Sequence, residues 1–310
     1  MTVADDLLAS PRALAVLAAY AYSRTVQFRL ADPSPAIGVL TSPPSRAGKL
    51  ERGLDLEELG PPVYPEPDLI DDEAELADLV HSATSGWPWN SVRESITPRL
   101  LRGKELLRPA AERLAESRGA RPWFLPLDPS AQIWVSREGV APSASKFTPD
   151  LGPCRHSHVV RPARAFSTST QRSFIPCSWL LDAWEGTPKP PFDLWRMPVR
   201  EDTRVFEILG SRDWAHLVST YPADTTDLHE HMLADYGITE RPFLSPNWEA
   251  VARDYDGVHL SEIGRLTTES VPLSLGAGVC MLECWDTEAT EWMRWVFDEP
   301  EYLGAYEGRR

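Results

Sequence analysis

Cysteine is scarce in this chain and carries no pattern. The four residues, Cys154, Cys177, Cys280 and Cys284, show no Cys-x-x-Cys spacing. A reduced, cytoplasmic protein is the simplest expectation. Cys280 and Cys284 share one face and read as small buried hydrophobes. No run approaches the ~18 consecutive apolar residues that a membrane helix needs, so no membrane span is expected. Ahead of the apolar run Ala13–Ala21 stand Asp5 and Asp6, with Arg12 the one basic side chain. That is the wrong charge balance for a signal peptide. Basic residues are outnumbered: 31 Lys and Arg stand against 46 Asp and Glu, a formal charge of -15. Phosphate contacts dominate nucleic-acid affinity, so extended DNA or RNA is a poor default partner. Gly-x-Gly-x-x-Gly, P-loop, Gly-x-Ser-x-Gly and His-Glu-x-x-His motifs are all missing. Rossmann dehydrogenases, P-loop NTPases and α/β hydrolases are thereby disfavoured.

What the chain does have is length, aromatics and proline. Its 310 residues, 42% hydrophobic, suffice for one large domain or two modest ones. The 12 Trp and 29 Pro are both high, and many Trp fall from Trp179 onward. That suggests a core built on large aromatics.

Residues 1–120 read as mainly helical. Ser10-Pro11 forms an N-cap followed by proline, and Leu14, Leu17, Ala18 and Ala21 then share a face to about Arg29. A Pro- and Gly-rich connection covers 32–68. Asp71–Ala83 is an acidic amphipathic helix with Leu76, Leu79 and Val80 inward. Leu100–Arg118 reads as one or two helices broken by Pro109. From Arg121 the texture changes to short apolar runs separated by turn residues. Gln132–Val135, His158–Val160, Arg204–Ile208, Gly257–Leu260 and Val279–Leu282 read as strands. Helices are expected over Ser178–Trp184, from Ser211 to Tyr221, from Ser245-Pro246 to about Asp254, and over Asp224–Asp235. The expectation is an α+β fold, with a helical N-terminal region on a mixed or antiparallel split β-sheet domain spanning 121–310.

Three sets of residues suggest chemistry. The first contains Ala165-Phe166-Ser167-Thr168-Ser169-Thr170, a strand edge whose hydroxyls suit a pocket. Ile133–Gly139 reads as a strand ending in Arg137, whose fork suits a pyrophosphate or carboxamide. Asp286-x-Glu288 puts two carboxylates on one face. A carboxylate beside a ribose stabilises an oxocarbenium-like transition state. Glu283 and Glu269 compete for the acidic role, and Arg155, Arg161 and Arg164 for that of Arg137. The segment after Glu288 (Ala289, Trp292, Met293, Val296) fits helical spacing. The second set is two His-x-His pairs, His156/His158 and His229/His231. On a strand each would reach one metal, which supports a metal-dependent hydrolase or oxygenase as an alternative. On a helix His229 and His231 diverge. The third is the tryptophans, which could stack on a nicotinamide or adenine ring. His259 alternates with Val258 and Leu260 and is expected to face solvent or a cleft.

The first set resembles the ADP-ribosyltransferase family, in its Arg, Ser-Thr-Ser and Glu class, over about residues 121–297. Asp254-Tyr255-Asp256-Gly257-Val258 is similar to a strand entry in some bacterial and phage toxins of that fold. The resemblance implies NAD as substrate, nicotinamide as leaving group, and a protein, nucleic acid or small molecule as acceptor. It implies that Arg137 holds NAD, with Thr168, Trp285, Asp286 and His259 around it. Ser167 and Ser169 would orient the pocket, and Glu288 would stabilise the ribosyl cation. The expected activity is a mono-ADP-ribosyltransferase or NAD glycohydrolase, of the kind found in toxins or defence effectors. A binding protein with a degenerate transferase-like domain is the further alternative.

Overall fold

The computed structural model describes residues 2–18, 21, 76, 80, 103–136, 140–153, 160–172, 175–176, 191–283, 285 and 288–306. The described residues divide into two compact units, one ending at Pro122 and the other beginning at Trp123. The fold is α+β, and its helices are not confined to the N-terminal part.

In the first unit α1 spans Val3–Ala9, opened by a capping box between Thr2 and Asp5. Ser10 then caps a second helical stretch over 11–18, its Oγ accepting from the Ala13 N–H at 3.4 Å. Leu14, Leu17, Ala18 and Ala21 are all buried, as are Leu76 and Val80; Leu79 lies outside the described residues. Around Pro109 the helical stretch is in two pieces, a 3-10 helix over Lys104–Leu107 and then an α-helix, and the proline opens the second. It sits in the first turn of α2, Arg108–Glu116, where its missing N–H costs nothing. Arg108 joins the two helices by an ion pair with Asp5 at 2.9 Å.

The described residues of the second unit include fourteen short strands. They are β1 (Gln132–Ser136), β2 (Asp150–Pro153), β3 (Pro162–Arg164), β4 (Phe166–Arg172), β5 (Ile175–Pro176), β6 (Phe192–Arg196) and β7 (Val205–Ile208). After them come β8 (Pro222–Asp224), β9 (Leu244–Pro246), β10 (Gly257–Leu260), β11 (Leu273–Leu275), β12 (Gly278–Cys280), β13 (Ala289–Trp292) and β14 (Glu301–Tyr306). The main sheet runs β14-β6-β1-β4-β13-β10-β7. Along this path β7 and β10 pair in parallel and the other neighbours are antiparallel. Between β7 and β10 lie α3 (Ser211–Thr220), α4 (Glu230–Asp235) and α5 (Trp248–Asp254); α6 (Glu262–Thr268) follows β10.

Strand alternation separates two cores. Val258 and Leu260 join Trp214, Trp248, Trp285 and Leu217 in one cluster. Trp292, the partner of Gly257, belongs to a second with Leu127, Met197, Val199, Val296 and Phe297. Only glycine fits at 257, since a Cβ there would stand 2.7 Å from the Trp292 ring. Gly264 lets α6 approach β7 as closely, because a Cβ would meet the Ile208 carbonyl oxygen at 2.1 Å.

Several expected elements differ. Residues 289–292 are strand, not helix, because they complete the sheet between β4 and β10. The expected helix over 224–235 is the end of β8, a 3-10 turn over Thr226–Leu228, and α4. Asn247, not Ser245, caps α5, its side chain accepting from the Ala250 N–H at 3.1 Å. Ser178–Trp184 and His158–Val159 lie outside the described residues.

Candidate functional site

The Ser-Thr-Ser run lies on β4 in the middle of the main sheet, between β1 and β13. Its three hydroxyls have three different fates. Ser167 is exposed, and its hydroxyl donates to Glu291 Oε2 at 2.8 Å across the rung to β13. Thr168 is buried, accepting from the Trp292 indole N–H at 2.7 Å and donating to Gln132 at 2.5 Å. Ser169 is buried, and its hydroxyl donates to Glu288 Oε2 at 2.5 Å.

Glu288 stands one residue before β13 and is 1% exposed. Its carboxylate takes the Thr170 N–H at 3.2 and 3.3 Å, extending the β4–β13 ladder by a side chain where β13 has ended. On its other side Oε1 accepts from His259 Nε2 at 3.0 Å. His259 Nδ1 meets Glu207 Oε2 at 2.5 Å, and Glu207 Oε1 accepts the Leu127 N–H at 3.0 Å. These groups form one polar line across the adjacent strands β7, β10, β13 and β4.

With a carboxylate on each nitrogen, His259 is held as an imidazolium. Burial works against that charge, but the hydrogen bonds and charges of Glu207 and Glu288 outweigh it and bring the pKa up to about 9. Burial likewise works to raise the Glu288 pKa. The His259 hydrogen bond and charge, with Ser169 and the Thr170 N–H, hold it below the usual carboxylate range.

A second buried carboxylate lies within β13 itself. Glu291 receives the Ser167 hydroxyl and an ion pair from Arg161 at 3.4 Å, with Arg161 33% exposed and Glu291 3% exposed at the side chain. Arg161 immediately precedes β3. This trio joins a carboxylate, an exposed hydroxyl and a mobile-length cation in one place. It has the chemical parts to hold a phosphate-bearing ligand and to stabilise positive charge on a sugar carbon.

The other expected site residues are placed as follows. His259 is fully buried rather than facing a cleft, because the opposite face of β10 is also covered by a core. Trp285 is buried against Trp214 and Trp248 and gives its indole N–H to the Ala289 carbonyl at 3.3 Å. Arg137 and Asp286 lie outside the described residues, as do Arg155, His156 and His158. Arg164 is exposed and donates to Thr148 at 3.0 Å. Glu283 is buried and accepts from Tyr236 at 2.7 Å and Ser270 at 2.9 Å. Glu269 is buried as well. His229 is buried with Nδ1 on the Thr225 carbonyl at 2.9 Å, whereas His231 is exposed on α4. No group of three or more His, Cys, Asp and Glu among the described residues is arranged to hold a metal ion. Cys280 is buried, which pushes its thiol up to about 12.

Glu207 and Glu291 were not among the expected residues. The signal for Glu291 was present in Glu288-Ala289-Thr290-Glu291-Trp292, once that segment is read as strand. No protein-family model, curated protein or solved structure matches the chain.

Proposed function

We propose that this chain cleaves the nicotinamide–ribose bond of NAD, as a mono-ADP-ribosyltransferase or NAD glycohydrolase. The observation that carries the reading is the Ser167–Glu291–Arg161 trio at the exposed end of the Ser-Thr-Ser strand. Glu291, rather than Glu288, is the carboxylate facing the substrate. Both carboxylates are buried with each oxygen engaged, but the partners of Glu291, Arg161 and Ser167, reach solvent, whereas Ser169, Thr170 and His259 around Glu288 are buried. The C1′–N bond breaks and nicotinamide leaves with the bonding electrons. The Glu291 carboxylate stabilises the positive ribose carbon, then takes the proton of the water or acceptor hydroxyl that attacks it. Arg161 covers Glu291 in the free protein. A pyrophosphate would draw the guanidinium off, so one residue both holds the substrate and uncovers the acid.

The test is nicotinamide release from NAD by wild type, Glu291→Gln, Arg161→Met and Ser167→Ala. Turnover by wild type is expected to fall about 100-fold or more in Glu291→Gln, with the fold retained. Turnover unchanged in Glu291→Gln would defeat the assignment. A second reading, a binding module without chemistry, is favoured by the closed Glu291–Arg161 pair. Calorimetric NAD binding without nicotinamide release would select it.

A further inference from the structure

The ladder between β4 and β13 is short. Its rungs are Trp292 with Phe166, Glu291 with Ser167 and Thr290 with Thr168. The Ser167–Glu291 pair therefore rests on a brief run of backbone bonds near the end of a strand. Beyond it the side chain of Glu288 takes over, receiving the Thr170 N–H and the Ser169 hydroxyl. Ser169 is two residues from Ser167, and Glu288 is three from Glu291, so these bonds lie beside the trio. A carboxylate buried to this degree would lose its charge unless a cation faced it. His259 supplies that cation. His259 is itself fully buried and would lose its own charge without a second carboxylate. Glu207 supplies that carboxylate from the neighbouring rung of β7, is 27% exposed, and is anchored by the Leu127 N–H.

We infer that Glu207, His259 and Glu288 are positioning residues, a charged clasp across four neighbouring strands that fixes β4 against β13 and so holds Ser167 on Glu291. The catalytic consequence rests on the NAD reading; the mechanical one does not. The titratable groups facing His259 among the described residues are Glu207 from β7 and Glu288 from the residue before β13. β4 turns Ser169 and the Thr170 N–H to this line, and the segment before β1 the Leu127 N–H.

The experiment compares full-length wild type with His259→Gln, Glu288→Gln and Ser169→Ala. NAD is the probe for kcat and KM between pH 6 and 10, and amide hydrogen exchange is followed over all peptides. The clasp predicts a fall of about tenfold or more in kcat with KM little changed. It predicts that the wild-type alkaline limb near pH 9 is lost in His259→Gln. It also predicts faster exchange confined to the peptides of β4 and β13. Faster exchange with unchanged kcat would overturn the inference, since the clasp would then only stabilise. A fall in kcat without altered exchange would overturn it too, by moving His259 into the chemistry. If wild type releases no nicotinamide, the NAD reading fails by itself. The clasp is then judged on exchange alone, supported by a local increase and refuted by none or by a uniform one. Should His259→Gln not fold, Ser169→Ala removes one bond of the clasp and carries the same comparison.

Discussion

A carboxylate and an imidazole sealed from water are stable only together. Each alone would carry a desolvation cost that its partner removes. His259→Ala is therefore expected to destabilise the protein by about 3–5 kcal/mol, because it leaves Glu288 as an unpaired buried charge. Chemical denaturation measures this directly. The pH dependence follows from the two shifts. The His259 pKa is raised, so its contribution is fully present below its ordinary value of 6.5 and is lost as pH rises through about 9. The Glu288 pKa is lowered, so its contribution is present above the ordinary 4.5 and is lost as pH falls through the lower folded value. Calorimetric melting from pH 4 to 10 should show a plateau between these limits, with a decline on the alkaline side that His259→Gln abolishes. Thr290 offers the converse case. It is fully buried between His259 and Thr168, and its hydroxyl has no hydrogen-bond partner among the described residues. Thr290→Val is expected to raise stability by about 1 kcal/mol in the same denaturation assay. A loss of stability would mean that the hydroxyl is satisfied after all.

Among the elements, β13 is decisive. Its sequence, Ala-Thr-Glu-Trp, has no intrinsic preference strong enough to choose strand over helix, and its apolar residues fit a helical face when read with Met293 and Val296. The sheet decides, because β4 and β10 each offer a row of unpaired backbone groups that β13 completes. This placement turns Glu291 toward Ser167, which explains why the residue was not legible from local pattern. α6 makes the same point through sterics. Every one of its seven residues is buried, and Gly264 is the contact point with β7. Gly264→Ala should cost more than the ~1 kcal/mol helix-propensity difference would gain back, since its Cβ would overlap the Ile208 carbonyl at 2.1 Å. A thermal melt that rises in this variant would contradict the packing.

For the whole molecule, the described residues form two compact units, each with buried apolar side chains of its own. The second contains the Ser-Thr-Ser strand, the clasp and the Glu291 trio. A fragment covering 123–310 is therefore expected to fold cooperatively. Circular dichroism would check this, and a fragment with no cooperative melt would refute it.

The sequence by itself determined what local chemistry can encode. Hydroxyl-rich alternation made β4 a strand, the aliphatic pattern made β10 one, and Ser10 set a helix cap that the structure keeps. The burial of Leu76 and Val80 followed from their helical spacing. Only the tertiary structure decided which carboxylate meets which hydroxyl, because those partners lie more than a hundred residues apart. It also decided the fate of His259. Strand alternation gives a residue's face, but whether that face meets water or a second core depends on segments distant in the chain. Here the core around Met197, Val296 and Phe297 closes over the face that holds His259, and Glu207 and Glu288 complete its surroundings.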